Sequence, residues 1–148
     1  MKLHELTRRP ATAVDRELLF QIHKRAMREH VLAAFGSFDK AEQWKMFFRT
    51  PPEKHEMLLD DFAAIGFWVV NRGVDQIELA RLSILPEYQG VGIGTWLVRE
   101  LMSEASLSSI PVRLRVFKTN RAQNLYRLLG FREERRSEHH IHMVFRAV

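Results

Sequence analysis

Three glycines alternate along the stretch "QGVGIG", residues 89–94, and the chain then continues with the apolar spacing of a helix. Glycine weakens helices, so its repeated use at a helix start indicates that the backbone there must approach something closely. The first N–H groups of a helix have no partner within it, and the helix dipole adds a partial positive charge. Glycines let phosphate oxygens reach these groups without meeting a Cβ. The spacing therefore predicts an anion site, against the alternative that the glycines serve only tight packing.

Two well-known phosphate loops do not fit this stretch. The dinucleotide-binding fingerprint G-x-G-x-x-G needs a third glycine where Thr95 stands, and an acid about 20 residues further on, where Arg113 and Arg115 lie. A P-loop needs Lys and then Ser or Thr directly after its last glycine, and no lysine follows any of these glycines. Neither a Rossmann nor a Walker A site is predicted.

Three histidines near the C-terminus, His139, His140 and His142, invite a metal interpretation. His140 and His142 would share one face of a strand, but no carboxylate is spaced to complete a site, so we expect no metal. On a terminal hairpin these histidines could instead line a substrate pocket. The chain has no cysteine, which excludes disulfides, thiolate metal sites and cysteine nucleophiles.

The apolar spacing predicts the elements that must position these residues. A first strand is expected over "KLHELTR", residues 2–8, where apolar residues alternate. Thr12 and Asp15 are spaced as a capping box at the start of an amphipathic helix. The residues predicted for the apolar face of that helix are Leu18, Leu19, Ile22, Ala26 and Met27.

The remaining elements alternate between helices and strands. In chain order they are a helix over residues 39–48 stopped by two prolines, strands over "HEMLLD", "AAIGFWVV" and "QIELARLSIL", a helix from the glycine stretch to about residue 105, a strand over "VRLRVF", a helix over "RAQNLYRLLG" ended by Gly130, and a closing hairpin of "FREERR" and "IHMVFR". This order mixes hairpins with two β-α-β crossovers. It predicts an α/β (α+β) fold with a mixed sheet and helices on both faces.

Composition sets broader limits on the protein. With 148 residues and no visible linker or repeat, residues 1–148 are expected to form a single domain. The formal charge of +5 is spread along the chain, so it favours an anionic partner without indicating a basic arm. No apolar run approaches the length of a membrane span, and the N-terminus lacks the apolar core of a secretory signal. We therefore expect a cytoplasmic protein without a membrane partner.

Two longer motifs add to the evidence from the glycine stretch: one contains it and the other follows it in the chain. The Q-x-x-G-x-G pattern lies within "LSILPEYQGVGIGTWLV", which resembles the acetyl-CoA motif of the GNAT superfamily of acyl-CoA-dependent N-acetyltransferases. Further on, "VFKTNRAQNLYRLLGF" resembles the second motif of that family, in the right order and about 30 residues away. The predicted element order is also that of the family. The resemblance implies a GNAT-like, mostly antiparallel sheet of six to seven strands and acetyl-CoA as cosubstrate.

The resemblance also implies which residues hold acetyl-CoA. In the family, the pyrophosphate lies on the backbone amides of the glycine loop, and the pantetheine arm lies along the end of the preceding strand. An asparagine of the second motif, here Asn120, contacts the cofactor, with Thr119 and Asn124 as alternatives. Lys118, Arg121 and Arg127 are candidates for the 3′-phosphate. The residues expected at the pyrophosphate and pantetheine are Gln89, Gly90, Val91, Gly92, Ile93, Gly94 and Thr95, and Leu82, Ser83 and Ile84.

The implied chemistry is direct attack of an amine on the thioester. Tyr126 matches the family's tyrosine, a general acid for the departing thiolate, although a tyrosine that only packs its helix would look the same. Glu78 lies eleven residues before Gln89, the spacing of the base in histone-type members, but a solvated glutamate or a water relay are equal alternatives. Ribosomal-protein acetylases carry a base glutamate on the next strand, where this chain has Arg115.

The acceptor amine is not identified by these motifs. In the family, the segment between the first two helices often borders the acceptor site, which makes Phe35, Phe38 and Trp44 candidates there. A non-catalytic acyl-CoA-binding regulatory module is the alternative function. Nucleic-acid binding is not expected, because no aromatic platform is interleaved with basic residues. Pairing of two copies through the sheet or the C-terminal hairpin is common in the family, so a homodimer stays open.

Overall fold

The computed structural model describes residues 2–147, which form four helices and seven strands of one mixed sheet. The sheet order is β1-β2-β3-β4-β5-β7-β6. In chain order the elements are β1 (Thr7–Pro10), α1 (Arg16–Phe35), α2 (Lys40–Phe47), β2 (Glu56–Asp60), β3 (Ala63–Arg72), β4 (Ile77–Ile84), α3 (Ile93–Leu107), β5 (Val112–Phe117), α4 (Ala122–Leu129), β6 (Arg132–Arg136) and β7 (His140–Phe145).

Strand pairing agrees with a mixed, mostly antiparallel sheet. The pairs β1–β2, β2–β3, β5–β7 and β6–β7 are antiparallel. β4 and β5 are parallel, as expected for strands joined by a helical crossover, here α3. The predicted fold class is therefore confirmed.

Contacts divide the described residues into two compact units. The first runs to Val69 and includes Arg81–Ile93, and the second consists of Val70–Ala80 with the residues from Gly94 onward. No helix among residues 2–147 has the length and hydropathy of a membrane span.

The core of the first unit is aromatic and aliphatic and is built from α1, α2, β2 and β3. Its most buried members are Leu19, Phe20, Ile22, Phe47, Met57 and Phe67. The predicted capping pair is present, because the Thr12 N–H donates to Asp15 Oδ2 at 2.8 Å. Arg9 also donates to that carboxylate at 2.8 Å, and this bond lowers the pKa of Asp15 to about 2. The start of α1 is thus fixed by hydrogen bonds to one acidic side chain.

Two predictions in the first unit are wrong. Residues Leu3–Glu5 form a short 3-10 helix, and β1 begins only at Thr7. Leu3 and Leu6 are three residues apart, so local Glu5-to-Lys2 and Leu6-to-Leu3 backbone bonds turn both leucines the same way. On α1, Leu18 is 41% exposed while Phe20 is buried. Leu19 and Ile22 are buried as predicted, but the large ring of Phe20 fills the core in place of Leu18.

The second unit buries one face of β5 and β7. Val112, Leu114 and Val116 lie opposite Phe145, Met143 and Ile141 in the antiparallel register, and five of these six residues are buried. α4 ends at Gly130 with a φ of 107°, which confirms the predicted glycine cap. Phe131 then packs its ring 5.7 Å from those of Tyr126 and Phe145. The predicted last helix and closing hairpin are both confirmed.

Candidate functional site

The glycine loop joins the end of β4 to the start of α3. A short 3-10 helix, Pro86–Tyr88, follows β4, and α3 begins at Ile93. Gly90 and Gly92 have φ values of 77° and 93°, in the left-handed region that favours glycine. A Cβ at Gly94 would meet no atom of the protein within 4 Å, and its φ is not positive. Neither the backbone conformation nor the packing of the protein therefore requires glycine at position 94.

Three side-chain contacts fix the turn before this loop. Arg25 of α1 donates to both carboxylate oxygens of Glu87, at 2.9 and 2.7 Å, which lowers the pKa of Glu87. The Tyr88 hydroxyl donates to Asp60 at 3.3 Å. Gln89 donates through Nε2 to the carbonyl of Ile84, at 2.9 Å. These contacts connect the turn to α1, to the end of β2 and to the end of β4.

Arg25 and Asp60 were not predicted from the sequence to contact this turn. They are separated from their partners by 62 and 28 residues, and nothing in the local sequence marks either pair.

The strand end predicted for the pantetheine arm is tightly packed. Ser83 and Ile84 are buried, and the Leu85 N–H donates to the carbonyl of Ile65 at 2.8 Å. A Cβ on Gly66 would lie 2.4 Å from the Ser83 carbonyl oxygen, closer than real contacts allow. Gly66 therefore permits β3 to approach β4 here, a role that its place inside a strand-like run did not reveal.

Tyr126 lies on α4 in the second unit and is buried, with 8% of its surface exposed. Burial raises its pKa to about 12, so the phenol stays protonated at neutral pH.

Asn120 caps the helix that carries Tyr126. Its Oδ1 accepts from the Ala122 N–H at 2.9 Å, and its own N–H donates to the Phe117 carbonyl at 2.9 Å. This local role leaves the Nδ2 group as the part that could contact a cofactor. Arg127 pairs with Gln123 and Glu133, whereas Lys118 and Arg121 are exposed.

Glu78 lies near the beginning of β4. Its Oε1 accepts from Asn71 Nδ2 at 2.8 Å, and the parallel register places it opposite Arg113. Leu82 lies four positions further along β4, which is about 13 Å at the usual rise per strand residue. Glu78 and the predicted pantetheine segment thus lie on one strand but are not adjacent.

The C-terminal histidines form polar and aromatic contacts. His140 stacks on Phe117 with ring centroids 4.4 Å apart, and burial, assisted by Arg115, lowers its pKa to about 4. His142 Nε2 lies 3.3 Å from the Ser137 hydroxyl. Across residues 2–147 no group of three His, Cys, Asp or Glu is arranged to hold a metal ion.

The three aromatic candidates for the acceptor site differ in exposure. Phe35 is 51% exposed at the end of α1. Phe38 and Trp44 are partly buried against the core of the first unit.

Comparison with known proteins agrees with this geometry. A family model described as the acetyltransferase (GNAT) domain matches residues 54–133, more than half of the chain. One relative, the [ribosomal protein bS18]-alanine N-acetyltransferase of Haemophilus influenzae, is 29% identical over 123 residues, which are 82% of this chain and 77% of that one.

Solved structures share the fold at low identity. The PaiA N-acetyltransferase of Thermoplasma acidophilum, in complex with coenzyme A, has a TM-score of 0.77 at 19% identity, covering 96% of this chain and 99% of that one. The ribosomal-protein-S18-alanine N-acetyltransferase of Escherichia coli has a TM-score of 0.68 at 22% identity, covering 95% and 93%. These likenesses show a common fold.

Proposed function

The chain belongs to the GNAT family of acetyltransferases, and we propose on that basis that it transfers the acetyl group of acetyl-CoA to a primary amine. The observation that carries the proposal is the loop of residues 89–94. Two of its glycines need left-handed backbone, and the third has open space where a Cβ would stand. Together with the start of α3 this supplies N–H groups that a pyrophosphate can approach.

In this proposal the backbone amides from Gln89 to Thr95 hold the pyrophosphate, and the main chain of Leu82, Ser83 and Ile84 holds the pantetheine arm. Each hydrogen bond to a charged group contributes roughly 1.5–3 kcal/mol, so several such bonds give a useful share of a micromolar affinity. Asn120 is proposed as a further contact through its Nδ2 group. Gly66 supports the arrangement by letting β3 pack closely under Ser83.

The proposed reaction needs no nucleophilic side chain. The amine nitrogen attacks the thioester carbonyl carbon and forms a tetrahedral intermediate, whose C–S bond then breaks. The departing thiolate takes the proton of the Tyr126 hydroxyl, and the amine loses one proton to a base. Burial raises the pKa of this phenol to about 12, so at neutral pH the hydroxyl is protonated and carries the proton that the thiolate takes.

The base in this proposal is either Glu78 or a water relay. The contact of Glu78 with Asn71, and its separation from Leu82 along the strand, favour water as the group that first receives the proton. Arg115 stands where the resemblance implies a base glutamate in ribosomal-protein acetylases.

The experiment is a screen of amine acceptors with acetyl-CoA, following the release of free CoA, with Tyr126→Phe in parallel. The proposal expects amine-dependent CoA release that falls sharply in the variant. A non-catalytic acyl-CoA-binding module, the alternative, would bind acetyl-CoA without releasing CoA in the presence of any amine. A cytoplasmic location and pairing of two copies stay predictions for fractionation and for sedimentation of the purified protein.

A further inference from the structure

Two exposed arginines flank one histidine on the sheet of the second unit. His142 of β7 lies directly opposite Arg115 of β5 and directly opposite Arg135 of β6. Side chains at directly opposed positions of antiparallel strands lie on the same face of a sheet. The three residues therefore form a row across three adjacent strands, which we name the basic row: Arg115, His142 and Arg135. At the usual strand spacing, the Cα atoms of the two arginines are about 10 Å apart.

The basic row lies on the face of the sheet that is turned away from the apolar core of the second unit. Side chains alternate between the two faces along a strand, and the neighbours of the row along β5 and β7 are buried on the other face. These neighbours are Leu114, Val116, Ile141 and Met143. Arg115 and Arg135 are both exposed, and His142 is half-buried. The row is therefore open to solvent, and a ligand needs no cavity to reach it.

The carboxylates nearest to the basic row are occupied by other residues. The hairpin of β6 and β7 contains three glutamates, and each of them contacts a group outside the row. The contacts are Glu133 with Arg127 and Arg136, Glu134 with Arg113 and Arg146, and Glu138 with His139. Within residues 2–147, neither Arg115 nor Arg135 forms an ion pair. The two positive charges of the row are thus left without a neutralising carboxylate in the described part of the chain.

The charges of both arginines reach the histidine between them. Burial is the largest cause that lowers the pKa of His142, and the charges of Arg135 and Arg115 lower it further, against the opposing charge of Glu134. Arg115 also lowers the pKa of His140, two residues along β7 on the same face. The imidazole of His142 is therefore neutral at neutral pH. A field that disfavours a positive charge at this point favours a negative one there.

The number of donors in the basic row selects among anions. A carboxylate has one charge and two oxygens, which a single guanidinium fork satisfies. A phosphodiester of a nucleic acid also carries one charge for each phosphate. A phosphate monoester carries a charge of about −1.5 to −2 at neutral pH and has three acceptor oxygens, so it can accept from two guanidiniums at once. Two arginines on either side of a neutral histidine therefore match a phosphate monoester best.

We propose that Arg115 and Arg135 bind a phosphate monoester, which lies over His142 between them. This ligand is additional to the acetyl-CoA of the proposed function, and its binding does not depend on acetyl transfer. The monoester can belong to a small phosphorylated molecule or to a phosphorylated side chain of a polypeptide. In either source, the phosphate oxygens accept hydrogen bonds from both guanidiniums.

The test compares two ligands of the same shape that differ in charge. Methyl phosphate and methyl sulfate are titrated into the protein at about pH 8, and binding is followed by NMR from the ring signals of His142. We expect methyl phosphate to bind at least about tenfold more tightly, and its affinity to fall as added salt screens the arginines. Glycerol 3-phosphate and an N-acetylated phosphoserine peptide, each compared with its unphosphorylated form, distinguish the two sources.

Three variants test the residues of the row. Arg115→Gln and Arg135→Gln should each weaken the binding of methyl phosphate about fivefold, whereas Arg132→Gln should keep the affinity within about twofold. Arg132 is the matched control, because it is exposed on the same strand as Arg135 but lies opposite Val144 instead of His142. If either variant of the row does not fold, the preference of the wild-type protein for methyl phosphate over methyl sulfate decides the question.

Several results would overturn the phosphate monoester site. One is equal affinity for methyl phosphate and methyl sulfate, and another is unchanged binding of methyl phosphate in both Arg115→Gln and Arg135→Gln. Binding of oligouridylate without binding of any monoester would assign the row to nucleic acid. Weaker binding of CoA, but not of dephospho-CoA, in both variants would assign it to the 3′-phosphate of the cosubstrate. None of these measurements uses the release of CoA by an amine, so the proposed acetyl transfer is tested separately.

Discussion

The glycine loop of residues 89–94 and the arginine cluster of His23, Gln43, Phe47, His55 and Arg81 are specified in different ways. The loop consists of six consecutive residues, and in the proposed function it binds the pyrophosphate through backbone N–H groups. The arginine cluster consists of five residues between positions 23 and 81, which contact one another through their side chains. A backbone site depends on local φ values and can be read from glycine spacing. A side-chain site depends on packing that only the fold brings together.

The largest expected effect is on kcat, from a substitution at Tyr126, which lies in neither of these two regions. Tyr126→Phe removes the acidic proton and keeps the ring that packs on Phe131. Its kcat should fall by about 100-fold or more, while the KM for acetyl-CoA stays within about twofold. Steady-state kinetics with a saturating amine measures both. A kcat within twofold of the wild type would remove Tyr126 from the mechanism and leave the loop as the remaining functional feature.

The arginine cluster should respond to acid where the loop does not. The pKa of His23 is lowered from 6.5 to about 4 in the folded state, so the unfolded chain binds more protons between these values. The contribution of His23 is complete above pH 6.5 and is lost as the pH falls toward 4, by at most about 3 kcal/mol.

Urea denaturation at several pH values checks this contribution. His23→Gln should flatten the fall in the free energy of unfolding, and replacement of the exposed His4 should not. Identical pH profiles for His23→Gln and the wild type would show that the cluster is not held neutral by burial.

Gly66 packs against Ser83, which belongs to the strand end proposed to hold the pantetheine arm. Gly66→Ala puts a Cβ 2.4 Å from the Ser83 carbonyl, so β4 must shift at the proposed pantetheine segment. Overpacking of this kind costs about 1–3 kcal/mol of stability, and we expect the KM for acetyl-CoA to rise more than kcat changes. Thermal denaturation and kinetics measure the two effects. A stable variant with unchanged KM would separate the strand end from acetyl-CoA binding.

The smallest effect is expected at the ion pair of Arg25 with Glu87, just before the glycine loop. Arg25→Ala breaks an exposed ion pair with Glu87, so its effect on stability should be small. The KM for acetyl-CoA should rise a few-fold because the turn before the loop is less fixed. Arg72→Ala breaks a similar exposed pair with Glu104 and is the matched control. Equal KM values for the two variants would mean that the Arg25–Glu87 pair does not position the loop.

Sequence alone predicted the parts of the fold that local rules determine. β5 was predicted as Val112–Phe117, the bounds that the structure shows, because its apolar residues alternate between turn signals. The helix over residues 39–48 was marked by Asp39, whose side chain accepts from the Glu42 N–H, and by the prolines that follow. Gly130 was marked by its place after a periodic segment. Each of these depends on a few neighbouring residues.

The features that sequence missed depend on distant contacts. Alternation over residues 2–8 was too short to outweigh the three-residue spacing of Leu3 and Leu6, which formed a turn. The contact of Gly66 with Ser83 and the pair of Arg25 with Glu87 join separate elements, so no local pattern marks them. Arg81 was overlooked for the same reason. It reads as one polar residue in an apolar strand until α2 and the segment before β2 place Phe47 and His55 around it.

The most direct test of the loop is a single substitution with opposite effects on stability and binding. Gly94→Ala adds a Cβ where the protein has open space at the start of α3, and alanine is the better helix former. The thermal midpoint should rise or stay level, while calorimetric titration should show acetyl-CoA binding at least about tenfold weaker, because the methyl group obstructs the pyrophosphate. Unchanged acetyl-CoA affinity in a stable Gly94→Ala protein would contradict the assignment of this loop as the pyrophosphate site.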